Sequence, residues 1–221
     1  MENLKVLIPK IMETDSNVHV LVIDDYSDDS TNKLMDQFHT IYQSRTHYIC
    51  RKSNPSYAES LREGFKFADE NGYSKVIQMD ADGSHAVSDI QLLLRSHSNI
   101  TIGSRYLSGS KVINVPIRRQ TISILGNIYI SIIWRSLIRD KTNGFRSFDS
   151  VAISKLSEFK SNSQGFAIQL EVLNFLSKKQ GITITEVPIT FKYRNIGESK
   201  FNLGKLLEAF KVATFALSKK K

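Results

Sequence analysis

Short apolar runs alternate along the chain with longer amphipathic stretches, the pattern of strands exchanging with helices. Val18-His19-Val20-Leu21-Val22-Ile23 is a β-branched run ending in Asp24-Asp25. Such a run predicts a buried parallel strand, because a strand covered on both faces needs no polar alternation. Lys75-Val76-Ile77-Gln78-Met79 reads the same way and ends in Asp80-Ala81-Asp82. Further strands are expected at residues 46–50, 100–102 and 182–189. Helices are expected from Ser30 or Thr31 to about Tyr42, from about Tyr57 to Asn71, and from about Val87 to His97. The second of these puts Leu61, Gly64, Phe65 and Ala68 on one face, with Gly72 as its stop signal. The alternation predicts an α/β fold: a Rossmann-like, mostly parallel sheet flanked by helices. Ligands of such sheets bind beyond the carboxyl ends of the strands, and both acidic clusters fall there.

The second half changes character. Residues 122–138 read as a helix with a broad apolar surface, interrupted by Ser123, Asn127, Ser131, Arg135 and Ser136. That stretch is too short and too polar to span a bilayer, which takes ~20 apolar residues. Helices at residues 151–159 and ending near Leu176 follow, and residues 203–217 form an amphipathic tail before Lys219-Lys220-Lys221. The 221 residues suit one large domain over 1–202 with a basic tail over 203–221.

Composition sharpens this in three places. The net charge of +8 suits polyanionic partners, an acidic membrane surface or phosphorylated substrates. No RNA-binding or helix-turn-helix signature accompanies it, so nucleic acid is not an expected partner. The single cysteine, Cys50, rules out a disulfide within the monomer and favours a cytosolic setting; at the end of its strand it is expected to be a buried, inert thiol. Residues 1–10 carry no apolar core of a signal peptide.

Asp80-Ala81-Asp82 is the first candidate for chemistry. Two carboxylates one residue apart on a tight turn can converge on one hard cation, Mg²⁺ or Mn²⁺, which also takes diphosphate oxygens and water. Such an ion offsets the charge developing on a nucleoside diphosphate leaving group. In the other cluster, residues 28–31 are explained as a helix entry with Ser or Asp as N-cap. Asp25 is not, and is expected at the sheet edge near a nucleotide.

Ile23-Asp24-Asp25-Tyr26-Ser27-Asp28-Asp29-Ser30-Thr31, Met79-Asp80-Ala81-Asp82-Gly83-Ser84-His85 and Gly103-Ser104-Arg105-Tyr106 occur in this order. Asn143-Gly144-Phe145-Arg146, Gly165-Phe166 with Gln169 and Glu171, Glu186-Val187-Pro188-Ile189 and Gly197-Glu198-Ser199-Lys200 follow. Together they resemble the family 2 glycosyltransferases of GT-A fold, almost end to end. The last element narrows the likeness to the dolichol- or polyprenol-phosphate mannosyltransferases. The resemblance implies that Ile23 and Asp25 border the nucleoside. It implies that Asp80, Ala81 and Asp82 contact the nucleotide-sugar donor, with Asp82, Ser84 and Asp80 at the metal. Arg105, Arg194 and Lys200 would meet the donor phosphates. Arg119 and Ser123 would hold the acceptor phosphate, with Arg118 the alternative to Arg119.

The implied reaction is inverting transfer of a sugar, mannose from GDP-mannose, to a polyprenyl or dolichyl phosphate. A phosphomonoester is already anionic, so no catalytic base is assigned; Glu171 is a candidate only where the acceptor is a hydroxyl. Two other readings stand beside it: transfer to a saccharide hydroxyl in polysaccharide assembly, and an inactive remnant that binds membrane or a partner. A lipid acceptor implies peripheral contact with the cytoplasmic face of a membrane, through residues 122–138 and the tail.

One departure stands out. Relatives open with a strand ending in a Pro-Thr-Tyr-Asn-Glu-like motif, whereas Met1-Glu2-Asn3-Leu4 matches the helix after it. Leu7-Ile8-Pro9 falls inside that helix, so the sheet is expected to lack its first strand. A central strand lost from a parallel sheet leaves backbone groups and apolar faces uncovered.

Overall fold

The computed structural model describes residues 1–27, 30–53, 55–161, 163, 165–193, 212 and 214. The first half runs α1 (Glu2–Met12), β1 (Val20–Asp24), α2 (Thr31–Tyr42), β2 (Thr46–Cys50), α3 (Tyr57–Glu70), β3 (Lys75–Gln78), α4 (Ile90–Leu94) and β4 (Ile100–Ser104). The second runs β5 (Lys111–Ile113), α5 (Ile117–Trp134), β6 (Arg146–Asp149), α6 (Ser150–Ser157), α7 (Ile168–Ser177), β7 (Ile184–Pro188) and β8 (Thr190–Lys192).

Local chemistry explains most of these bounds. The Ser56 hydroxyl caps α3 by accepting from the Glu59 N–H, and Gly72 takes the left-handed turn after it at φ +68°. Residues 7–9 lie inside α1, as the sequence implied. The helix expected over 87–97 is instead a 3₁₀ turn, Val87–Asp89, followed by the short α4. It stops because the Leu94 and Ser96 carbonyls turn to accept from Lys75 Nζ, at 2.9 and 2.5 Å. The helix expected over 122–138 begins earlier, at Ile117 behind Pro116, and ends where Arg135 turns left-handed at φ 49°.

The strands form three groups. β1 and β2 pair in parallel. The second group has the order β3-β6-β4-β7, with β6 antiparallel to both neighbours and β4 parallel to β7. β5 and β8 make a small parallel pair. The main core lies against the second group, where Ile100, Ile102 and Phe148 pack with Phe65 of α3, Ile153 of α6 and Ile168 of α7. Its other face meets Ile90 and Leu93 of α4 with Phe145 and Ile189. A separate cluster from α1 and α2, including Ile8, Met12, Met35 and Phe38, covers one face of β1 and β2.

One expectation fails in an informative way. Residues 20–23 form a strand, but a half-buried one, not the buried strand their sequence predicts. Cys50 across from Asp24 is likewise half-buried. The cause is a cavity of about 1220 Å³ between β1 and β3, which divides the sheet. Among the described residues, no ladder joins β1 to β3.

Candidate functional site

The two acidic turns sit at the carboxyl ends of β1 and β3, and each is built by its own hydrogen bonds. Asp24 is buried and accepts from the Ser27 N–H and hydroxyl and from the Tyr48 hydroxyl, the last at 2.9 Å. These bonds fold the chain back sharply, with Tyr26 at φ +60°. Burial, reinforced by Asp24, pushes the Tyr48 phenol above its ordinary value. Asp24 is therefore structural, and Asp25 is the carboxylate left facing the cavity. Its Oδ1 accepts from Arg51 Nη1 at 2.6 Å and from the Ser60 hydroxyl at 2.9 Å.

At the end of β3, Asp82 Oδ1 accepts from the Ser84 N–H at 2.9 Å, closing a turn in which Gly83 has φ +75°. Ser84 is buried, and its carbonyl accepts from the Lys192 N–H. His85 then folds back under the turn: its Nδ1 accepts from the Asp80 N–H, and its Nε2 lies 3.1 Å from Asn143 Oδ1. Asn143 Nδ2 donates to the Gly103 carbonyl at 2.5 Å, which fixes the amide's orientation. The proton therefore resides on His85 Nε2. Burial holds this imidazole below its ordinary value, against the opposing charge of Asp80. A neutral ring, stacked 4.8 Å from Phe145, thus ties the acidic turn to β4 and to the loop before β6. Gly103 has to be glycine, since a Cβ there would come within 2.9 Å of the Ile189 side chain.

The cavity wall beneath is polar. The Tyr57 hydroxyl accepts from Gln78 Nε2 and Gln169 Nε2, both at 2.9 Å, and Phe166 packs on its ring at 4.6 Å. Ile23, Asp25, Asp80 and Ala81 line this one cavity together with Tyr57 and Phe166. The structure thus gathers four of the residues singled out from sequence.

The others lie elsewhere. Arg105 forms a bidentate pair with the buried Asp140, Nε to Oδ2 at 2.7 Å and Nη2 to Oδ1 at 2.8 Å, and also donates to Thr142. Burial alone would raise the Asp140 carboxyl, but Arg105 holds it below its usual value. The Arg105 side chain remains 16% exposed. Ser123 accepts from the Tyr106 hydroxyl at 2.6 Å, beside the Arg105 guanidinium. Arg119 donates to the Tyr193 hydroxyl at 3.2 Å and lies over its ring, whereas Arg118 is exposed. Glu171 accepts from the Ser161 and Ser163 hydroxyls. Arg194, Lys200 and the 203–217 stretch lie outside the described residues, apart from Val212 and Thr214.

Arg51, Asp140, His85 and Asn143 had no role assigned from sequence. His85 and Asn143 each stood inside a quoted motif, but they are 58 positions apart and only the fold joins them.

Among the described residues, no three His, Cys, Asp or Glu side chains gather as a ready-made metal cage. Asp80 and Asp82 supply two carboxylates, one of them oriented by a backbone N–H. That set suits Mg²⁺ or Mn²⁺, which draw further ligands from phosphate oxygens and water.

Beside Ser123, α5 presents an uncovered apolar stripe. Ile117, Leu125, Ile128 and Ile132 are 83%, 60%, 50% and 71% exposed, and Leu137 just beyond is 99% exposed. Arg118, Arg135 and Arg139 are exposed around it. A pocket of about 220 Å³ opens there, lined by Tyr106, Ile124, Ile128, Leu137 and Ile138 among others. Among the described residues, no helix is long and apolar enough to cross a membrane.

Comparison with known proteins adds four findings. Residues 2–157 match the family described as Glycosyl transferase family 2. A polyprenol monophosphomannose synthase of Mycolicibacterium smegmatis is 34% identical over 98% of this chain and 83% of its own length. An undecaprenyl-phosphate mannosyltransferase of Micrococcus luteus is 31% identical over 95% of this chain and 86% of its own. In structure, glucosyl-3-phosphoglycerate synthase of Mycobacterium tuberculosis superposes with a TM-score of 0.64 at 11% identity, covering 98% of this chain and 76% of that one. That likeness establishes the fold.

Proposed function

The chain belongs to glycosyltransferase family 2, and on that premise we propose that it transfers mannose from GDP-mannose to a polyprenyl or dolichyl phosphate. The observation that carries this reading is the convergence of Ile23, Asp25, Asp80 and Ala81 on one cavity at the carboxyl ends of β1 and β3. An α/β sheet takes its ligand there. The names of its relatives, mannosyltransferases acting on polyprenol-type phosphates, support the choice of sugar and acceptor.

In this reading Ile23 and Asp25 border the nucleoside and Ala81 the donor. Asp80 and Asp82 hold Mg²⁺ or Mn²⁺, with Ser84 orienting Asp82 or serving as a further ligand. Bound there, the cation supplies positive charge against the departing diphosphate. Arg105 offers the open part of its guanidinium to the donor phosphates while Asp140 keeps it in place; Arg194 and Lys200 are the further phosphate contacts. Arg119 and Ser123 hold the acceptor phosphate. One of that phosphate's oxygens attacks the anomeric carbon, whose bond to the diphosphate breaks with the electron pair leaving on GDP, so the configuration inverts. No proton has to be removed, and Glu171 is not needed as a base.

The apolar stripe of α5, its rim of arginines and the small pocket beside it suit peripheral contact with anionic lipid on the cytoplasmic face of a membrane. The test is incubation of the protein with membranes, labelled GDP-mannose and Mn²⁺. An organic-soluble, mild-acid-labile product is expected, and Asp82→Ala should lower its formation on the order of 10²–10³-fold. The reading is overturned when folded protein makes no such product from any nucleotide-sugar.

A further inference from the structure

The Ser and Thr hydroxyls of α5 dispose of their hydrogens differently. Thr121 Oγ1 donates to the Ile117 carbonyl at 3.0 Å and Ser131 Oγ to the Asn127 carbonyl at 2.8 Å, the common bond back to the preceding turn. Ser123 makes no such bond among the described residues. Its oxygen is an acceptor instead: the Tyr106 hydroxyl donates to it at 2.6 Å, and Arg105 Nη2 approaches it at 3.4 Å. A hydroxyl has one hydrogen and two lone pairs. With two donors facing its oxygen, the hydrogen of half-buried Ser123 points away from both.

Both donors are held firmly. Burial pushes the Tyr106 phenol above its ordinary value, with Arg105 opposing, so it keeps the proton that it donates. The Arg105 guanidinium lies 5.2 Å from the Tyr106 ring and 5.4 Å from the Phe191 ring, and Asp140 holds its Nε and Nη2. Asp140 is fixed in its turn by Glu186 of β7. One carboxylate oxygen of Glu186 accepts from the Asp140 N–H at 2.8 Å, the other from the Arg139 N–H at 2.7 Å. The helix is pinned at the same place: Asn127 Nδ2 donates to the Ser123 carbonyl and to Thr142 Oγ1, both at 3.0 Å. The turn after β4 and the Ser123 end of α5 thus form one rigid arrangement.

We propose that Tyr106 is a positioning residue of the acceptor site: by donating to Ser123 it turns that hydroxyl's hydrogen outward, so that Ser123 meets the acceptor as a donor only. This rests on the reading that Ser123 holds the acceptor phosphate. The oxygens of an ionised phosphate accept hydrogen bonds, and a bond to a charged acceptor is the stronger kind. Arg119, one helical turn before Ser123, adds a cation on the same side of α5. The arrangement also selects against the competing acceptor. A sugar hydroxyl has a hydrogen to place, and Ser123 with its lone pairs occupied cannot take it. Tyr106 thereby favours an anion over an alcohol without touching either.

The test is steady-state kinetics of the whole chain with a short-chain prenyl phosphate as acceptor. Tyr106→Phe keeps the ring beside Arg105 and removes only the donor, which frees the Ser123 hydroxyl to turn back to the Arg119 carbonyl. Its KM for the prenyl phosphate is expected to rise about tenfold, with the KM for GDP-mannose and the melting temperature unchanged. Ser123→Ala should raise the acceptor KM at least as much, and the double variant no further than Ser123→Ala alone, because Tyr106 acts through Ser123. An unchanged acceptor KM in Tyr106→Phe, beside a raised one in Ser123→Ala, overturns the proposal and leaves the acceptor site standing. Effects that multiply in the double variant overturn it too, as does a Tyr106→Phe change that shifts both KM values and the melting temperature together. No effect of Ser123→Ala on the acceptor KM removes Ser123 from the acceptor site, and the proposal falls with that reading.

Discussion

β1 and β4 are both short strands rich in β-branched residues, each with one parallel neighbour, yet they have opposite fates. In β4, Ile100, Thr101 and Ile102 have no exposed surface, because β6 and β7 flank the strand and helices cover both faces. In β1, Val20, Leu21, Val22 and Ile23 stay half-buried, because one edge opens on a cavity. The difference lies in neighbours, not in the strands' own residues. An apolar run states that a strand can be buried on both faces; whether it is depends on a second strand at each edge.

The largest expected effect of this contrast is on stability. Phe148→Ala, in the closed group, empties a site with no exposed surface and should cost about 3–5 kcal/mol. Val22→Ala, in the open group, removes two methyls that are only partly buried and should cost about 1 kcal/mol. Urea unfolding of the two variants measures both. Equal losses would mean that the cavity does not relax the β1 side, and the comparison would fail.

The same contrast explains what could be read from sequence. β1, β3 and α3 were legible because each carries its own pattern: apolar runs ending in carboxylates, or apolar positions at helical spacing with a glycine stop. β6 was not. Arg146-Ser147-Phe148-Asp149 opens with an arginine that is fully buried, and that cation is tolerated only because the Asn143, Gln169 and Lys141 carbonyls accept from it. Arg105 is similar. Its motif was legible but its anchor was not: Asp140, 35 positions away, accepts from its Nε and Nη2, and nothing local to Asp140 announces that. The acidic ends of the strands were visible as one site; the second layer that orients them became visible only once the chain was folded.

A smaller effect tests the link between the acidic turn and the closed group. Asn143→Ala leaves the His85 Nε2–H and the Gly103 carbonyl without their partner in a buried setting, which should cost about 1–3 kcal/mol. The turn bearing Asp80 and Asp82 would lose its anchor to β4, so Mn²⁺-dependent GDP binding should weaken along with the melting temperature. A variant as stable as the parent would show that His85 is not held through Asn143.

The smallest effect is a pH dependence seated wholly in the closed half. Lys141 has no exposed surface, and its Nζ donates to the Ser131 hydroxyl at 2.6 Å and to the Ile138 carbonyl. Burial pulls its ammonium down to about 8 from an ordinary 10.5, with Glu186 and Asp140 opposing the shift. Below about pH 8 both folded and unfolded chains hold the proton, and the fold bears the full cost of the buried charge. Between about 8 and 10.5 the unfolded chain binds more proton than the folded one, so this group makes stability rise with pH. Lys141→Met keeps the length and removes the titration. Relative to that variant, the parent should gain about 1 kcal/mol as the pH is raised from about 8 to about 9, read from paired urea curves. Tyr57 and Tyr48, whose phenols burial pushes upward, bear on both proteins alike and cancel in the difference. Parallel curves for the two proteins would mean that Lys141 keeps an ordinary proton affinity and that its burial costs the closed half nothing.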